Sequence, residues 1–181
     1  MDTDENIVFE KIYETCKEEF QEEHRRKQSL EGRESVYLSV YSAILGLWFV
    51  NSGFSSKMLE SAIKQKNNVL FCVIIFLLLL LIIFYGVGSS LLLASMRLKA
   101  YRAYPNPEKI INLLNNKPIR IFYKSMAADF SKSINENEKI NNQKVSHLSD
   151  SYKWMIAIFI ILILLLCLSG YLKYMEVLSV L

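Results

Sequence analysis

Polar and apolar positions along this chain fall into separate blocks. Three stretches carry no charge: residues 36–54 (VYLSVYSAILGLWFVNSGF), 69–95 and 154–172. A helix needs roughly 20 apolar residues to cross the hydrocarbon core of a bilayer, and each stretch is near or above that length. A barrel strand would alternate, whereas residues 77–81 are an unbroken leucine run. The fold class expected is therefore an all-α membrane protein, with three transmembrane helices and a small helical cytoplasmic layer. In that scheme residues 1–35 form a cytoplasmic amphipathic helix. Residues 36–95 hold the first two membrane helices and a short outer loop (55–68). Residues 96–153 form a basic helical segment, 154–172 the third membrane helix, and 173–181 a short outer tail. The first 35 residues are charged and acidic, so they do not read as a cleaved leader.

The polar blocks have their own periodicity. Phe9, Tyr13, Cys16 and Phe20 recur at helical spacing, and Phe122, Met126 and Phe130 supply a matching stripe. The first helix is expected to run through Arg33 into the first span, with Gly32 as a hinge. The second span is expected to continue as helix through Arg102, until Tyr104-Pro105 stops it. Asn106 then caps a new helix with Pro107 in its first position. Asn115, Asn116 and Pro118 make the next break. Beyond it, residues 119–135 and 139–150 are expected as two helices separated by the polar stretch NENEKINN, the second entering the third span.

Charge sets the orientation. Of the 21 Lys and Arg, 6 lie in residues 1–35 and 11 in residues 96–153, against 3 in residues 55–68 and 1 in the tail. The positive-inside rule then places the amino terminus and the middle segment in the cytoplasm and the carboxyl terminus outside. Residues 1–35 carry 11 acidic groups and residues 96–153 only 5. The two cytoplasmic pieces thus have opposite net charge and attract one another.

The spans differ in kind. Residues 69–85 and 154–168 are almost entirely Leu, Ile, Val and Phe, which suits lipid contact. In the first span Ser35, Ser39, Ser42 and Gly46 recur at three- and four-residue steps, and Tyr37, Tyr41 and Asn51 add further polar side chains. Hydrocarbon cannot satisfy such a face, so it is expected either to pack closely on another helix or to line a polar pathway built by several copies. Gly86, Ser90 and Ala94, four apart near the end of the second span, favour tight helix contact there.

Soluble chemistry has no motif to stand on. No GxGxxG, GxxxxGK[ST], HExxH or GxSxG string occurs, and the two histidines are isolated. The three cysteines are scattered, two of them inside spans. Neither catalysis, a metal nor a cofactor is expected. The basic residues offer more. Arg25, Arg26, Lys27, Arg33, Arg97, Lys99, Arg102, Arg120 and Lys124 stand near membrane boundaries, with Tyr101 and Tyr104 among them. They set orientation and touch anionic headgroups, or they bind a phosphate-rich ligand through paired guanidinium groups and aromatic stacking.

The layout resembles the small transmembrane effectors of bacterial antiphage signalling: Pycsar membrane effectors, SLATT proteins and the channel component of Hailong systems. The likeness lies in a charged helix before two close spans, a Tyr-Pro break (YRAYPNPEKI), an amphipathic segment (IRIFYKSMAADF) and KVSHLSDSYKW entering a last span. The resemblance implies a homo-oligomer in the bacterial inner membrane. It implies a nucleotide or short nucleic-acid ligand from a partner nucleotidyltransferase, and permeabilisation of the membrane on infection. Pycsar-like effectors are opened by their ligand and Hailong-like channels held shut by theirs, so the resemblance leaves the sign of control open. A membrane anchor or adaptor that docks a soluble partner remains the alternative.

Overall fold

The computed structural model describes residues 2–50, 52–64, 68–98, 101 and 107–178. Five helices appear: α1 (Asp2–Val50), α2 (Ser52–Lys64), α3 (Asn68–Arg97), α4 (Pro107–Asn116) and α5 (Ile119–Leu178). No strand occurs among the described residues. The chain divides into two compact units. The first comprises Met1–Arg33 and Met96–Ser146, and the second Glu34–Ser95 and His147–Leu181.

In the first unit the aromatic stripes meet. Phe20, Phe122, Met126 and Phe130 are buried together, with Tyr13, Cys16, Ile110, Leu113, Tyr123 and Ile134 packed against them. The Tyr13 ring lies 6.0 Å from Phe122 and 5.9 Å from Phe130, and Phe20 lies 5.3 Å from Phe130. Aromatic pairs at these separations add stability beyond the area they bury. The short helix α4 begins at Pro107, whose missing N–H costs nothing in a first turn, and Glu108 there faces the positive end of the helix dipole. It closes with the Lys117 amide donating to the Leu113 carbonyl at 3.1 Å. Pro118 then supplies the carbonyl that accepts from the Ile121 and Phe122 amides, which starts α5.

Several boundaries depart from the sequence expectation. NENEKINN does not break the chain, because α5 is one helix of 60 residues. The stretch holds neither Gly nor Pro, and its asparagines recur at helical spacing, so that Asn137 (2% exposed) and Asn141 (0%) face inward. Helix α3 ends at Arg97 rather than at Arg102, and Leu98 is already non-helical. The expected stop at Tyr104-Pro105 and the Asn106 cap lie outside the described residues. Gly32 sits within helical backbone in α1. Residues 55–68 are not a plain loop. Most of them belong to α2, where Met58 and Ala62, four apart, are buried. Helix α5 also runs past residue 172 to Leu178.

Two helical segments are long and apolar enough to cross a membrane: α3 over Asn68–Arg97, and Ile119–Met175 of α5. In the most apolar window of α3 only 11% is buried within the chain, which separates it from the core helix of a soluble domain. Val69, Phe76, Leu79, Ile82 and Ile83 all stand exposed along it. The apolar part of α1, residues 36–50, measures only about 22 Å at 1.5 Å per residue, short of a hydrocarbon core of about 30 Å. It is not among the two.

Candidate functional site

The second unit is held by a set of hydroxyl groups, of which the sequence reading singled out Tyr41 as a polar group in the first span but not its partner Ser151. Tyr41 of α1 is 2% exposed, and its hydroxyl donates to the Ser151 carbonyl of α5 at 2.9 Å. The Ser151 hydroxyl lies 3.0 Å from the Gly88 carbonyl of α3, to which it donates, and 3.3 Å from the Tyr41 oxygen. Tyr85 adds a longer contact of 3.4 Å to the Tyr41 carbonyl, and the two rings meet edge-on at 5.6 Å. Three helices therefore converge on one tyrosine. Gly88 makes this possible: a Cβ built there would overlap the Tyr41 hydroxyl and stand 3.0 Å from the Trp154 Cβ. Elsewhere in the same unit the buried carboxylate of Glu34 accepts from the Ser95 hydroxyl at 2.5 Å.

Gly88, not Gly86, is thus the glycine of close approach. A Cβ at Gly86 would meet nothing within 4 Å, and Ser90 is exposed. The buried positions of α3 are Ile74, Leu81, Gly88, Leu92 and Ser95, a different face from Gly86, Ser90 and Ala94.

The small-residue face of α1 points away from this packing. Ser35, Ser39, Ser42 and Gly46 are all exposed, while Tyr41 and Ile44 of the same helix are buried. The Ser39 hydroxyl turns back to the Ser35 carbonyl at 3.0 Å, leaving its own lone pairs outward. Asn51, assigned to the same face, lies outside the described residues.

The candidate phosphate-binding residues do not form one patch. Near the start of α5, Arg120 lies 5.3 Å over the Phe9 ring, and Lys124 is exposed one turn on. Lys27 stands 4.4 Å over the Tyr101 ring and 3.7 Å from Glu31. Phe9 and Lys27 are about 27 Å apart along α1 at 1.5 Å per residue, so one mononucleotide reaches only one of these groups. Arg26 is occupied structurally: it donates to the Asn142 side-chain oxygen at 2.7 Å and pairs with Glu23 at 3.3 Å. Arg25, Arg33 and Arg97 are exposed and open to a ligand. Lys99 and Arg102 lie outside the described residues.

Glu23 is the hub of the polar part of the first unit. Its carboxylate also accepts from the buried Asn141 amide at 2.5 Å. Sequence reading found the cations but not this pairing, because Glu23 and Asn141 are 118 residues apart and neither belongs to a motif. No family model, curated protein or solved structure matches the sequence.

Proposed function

We propose that the chain is a homo-oligomeric effector of the bacterial inner membrane, in which copies of α1 line an ion-conducting pore through Ser35, Ser39, Ser42 and Gly46. The observation that carries this reading is the outward exposure of that face while Tyr41 and Ile44 of the same helix pack inward. Hydroxyls and bare backbone are costly against lipid, so a membrane position gives the face two outlets, protein or water. One chain encloses no channel, so a pathway needs several copies, most simply a closed ring. In this reading α3, the apolar part of α5 and residues 36–54 make three crossings, with the amino terminus cytoplasmic and the carboxyl terminus periplasmic. A wall of serine and glycine carries no charge, so the conductance is weakly selective.

Control is assigned to the cytoplasmic cations. Lys27 and Tyr101, with Arg25, Arg33 and Arg97, offer guanidinium groups and a ring face to a phosphate-bearing nucleotide. A short oligonucleotide is long enough to engage Arg120 and Lys124 as well. The signal would come from a partner nucleotidyltransferase, and the output would be depolarisation and growth arrest during phage infection. Liposomes containing the purified chain provide the test, with ion flux recorded alone and with cyclic nucleotides or short oligonucleotides added. The expected result is flux that changes with ligand and is lost in Ser39→Leu and Ser42→Leu. Sealed liposomes under every condition refute the pore.

A second reading is favoured by the exposed apolar side chains of the first unit. Ile7, Val8, Ile12, Ile111, Leu114 and Ile119 are exposed in the first unit, a set of apolar side chains suited to docking a soluble protein. An adaptor of that kind co-purifies a protein partner and passes no ions.

A further inference from the structure

The first unit carries two complementary charged stripes, one on each of its long helices, and among the described residues neither enters an ion pair. The inward positions of α1 there are Tyr13, Cys16 and Phe20. Helical periodicity puts Glu14, Glu18 and Glu22 on the opposite side, and all three are exposed. The inward positions of α5 are Phe122, Met126, Phe130, Ser133 and Asn137. Opposite them run Lys124, Ala128, Ser131, Lys132, Asn135 and Lys139, all exposed. Among the described residues none of the three glutamates or three lysines has an ion-pair partner. Glutamates four apart on one helix repel one another, and cations brought against the acidic stripe relieve that repulsion.

The heights match as well as the signs. Helices α1 and α5 run parallel in this unit, since Tyr13 lies beside Phe122, Phe20 beside Phe130 and Arg26 beside Asn142. Glu18, two residues before Phe20, and Lys132, two after Phe130, therefore stand level to within about 6 Å, a little over one turn. Rotation about an axis parallel to these helices preserves height. It brings Glu18 of one copy against Lys132 of the next, with Glu14 and Glu22 within lysine reach of Lys124 and Lys139. The exposed Ile7 and Ile121 form an apolar end to the same seam, at the level where Arg120 covers Phe9. Lys11 and Arg25 bound the acidic run, which confines the attraction to its middle. The lower half of the α5 stripe borders a shallow depression formed by Asn135, Glu138, Lys139, Asn142, Gln143 and Ser146, room for a neighbour's side chains.

We infer that copies of this chain associate head to tail, the outer glutamate stripe of α1 in one copy seating on the outer lysine stripe of α5 in the next. The contact is heterologous, so it closes into a ring when the rotation permits. It rests on the oligomeric part of the proposed function and is independent of whether the assembly conducts.

Cross-linking tests it in membranes. In full-length chains with Cys16→Ala, Cys72→Ala and Cys167→Ala, one tagged copy carries Glu18→Cys and a differently tagged copy carries Lys132→Cys. Oxidation of the co-expressed pair is expected to give a mixed-tag dimer. Either variant alone is expected to stay monomeric on a denaturing gel, and the double variant to give a series of higher multimers. Self-cross-linking of Glu18→Cys as fast as the mixed pair overturns the inference in favour of a two-fold contact. Absence of the mixed dimer also overturns it. As a second measurement, Glu18→Lys and Lys132→Glu are each expected to lower the oligomer fraction and to restore it when combined in one chain. Loss that is not restored counts against the pairing. Multimers from silent liposomes would leave this contact standing and remove only the pore.

Discussion

Replacement of Gly88 by alanine tests whether three helices meet at Tyr41. The added methyl overlaps the Tyr41 hydroxyl and lies 3.0 Å from both the Tyr41 Cζ and the Trp154 Cβ. Overpacking of a closed site costs about 1–3 kcal/mol. Alanine in place of a helical glycine returns about 1 kcal/mol, so the net loss for Gly88→Ala is about 0–2 kcal/mol. Tyr41→Phe removes the hydroxyl that gives a proton to the Ser151 carbonyl and lies near the Ser151 hydroxyl. At about 0.6 kcal/mol per membrane hydrogen bond, that variant loses about 1 kcal/mol. Additive effects would make the double variant about 1–3 kcal/mol less stable than the parent. Because Tyr41→Phe deletes the atom that the new methyl strikes, the double variant should instead lie within about 1 kcal/mol of the parent, a coupling of about 1–2 kcal/mol. Denaturant titration of the detergent-solubilised chains, followed by circular dichroism, measures all three. Gly86→Ala is the control in the same helix and should be neutral or slightly stabilising, since its Cβ meets nothing. Strict additivity, or equal losses at Gly86 and Gly88, would refute the close approach.

Four further outcomes follow from the first unit. Asn141→Leu should destabilise it by about 2 kcal/mol, because the half-buried Glu23 carboxylate loses its amide donor, and hydrogen exchange around residues 135–145 should speed up. Burial, and then the Glu10 carboxylate, push the Tyr123 phenol above its usual value. The native state therefore holds that proton more tightly than the unfolded chain. The resulting stabilisation is fully present below about pH 10 and is lost as pH rises through the raised value; tyrosinate absorbance should show the late ionisation, and Tyr123→Phe should remove it. Burial, with a contribution from Glu19, likewise pushes up the Cys16 thiol, so alkylation of Cys16 at neutral pH should be slower than that of free cysteine and quicken in Glu19→Gln. Arg26→Ala should loosen α1 from α5 near Asn142 while leaving the aromatic core intact, read as faster proteolysis confined to residues 21–30.

How much of this was legible depended on whether a residue's role is written in its local spacing. The aromatic stripes Phe9 to Phe20 and Phe122 to Phe130 declared themselves by periodicity, and their meeting needed only that each lacked an apolar partner. The break at Pro118 and the start at Pro107 followed from backbone chemistry that holds in any context. Polarity misled where burial was decided by a distant partner. Asn137 and Asn141 looked like a linker because nothing local shows that asparagine is inward, and Glu34 gave no sign of its pairing with Ser95. Gly86 and Gly88 are two residues apart in one helix. Only the position of Tyr41, 47 residues from Gly88, tells which of them must remain without a side chain. The cations were visible as residues but not as a geometry, since a count of charges carries no distance between Lys27 and Arg120.

The aromatic core of the first unit joins segments that are made far apart in time. Phe20 leaves the ribosome 110 residues before Phe130, its neighbour at 5.3 Å. At synthesis rates of about 5–20 residues per second, that interval lasts roughly 5–20 s. During it the nascent α1 holds Phe9, Tyr13 and Phe20 uncovered while the leucine run of α3 is already emerging. On the proposed reading as a membrane protein, the chain would meet an insertion machinery before its amino-terminal helix has α5 to fold against. Messages truncated upstream of codon 110 would release a polypeptide whose first helix lacks every later partner of that core.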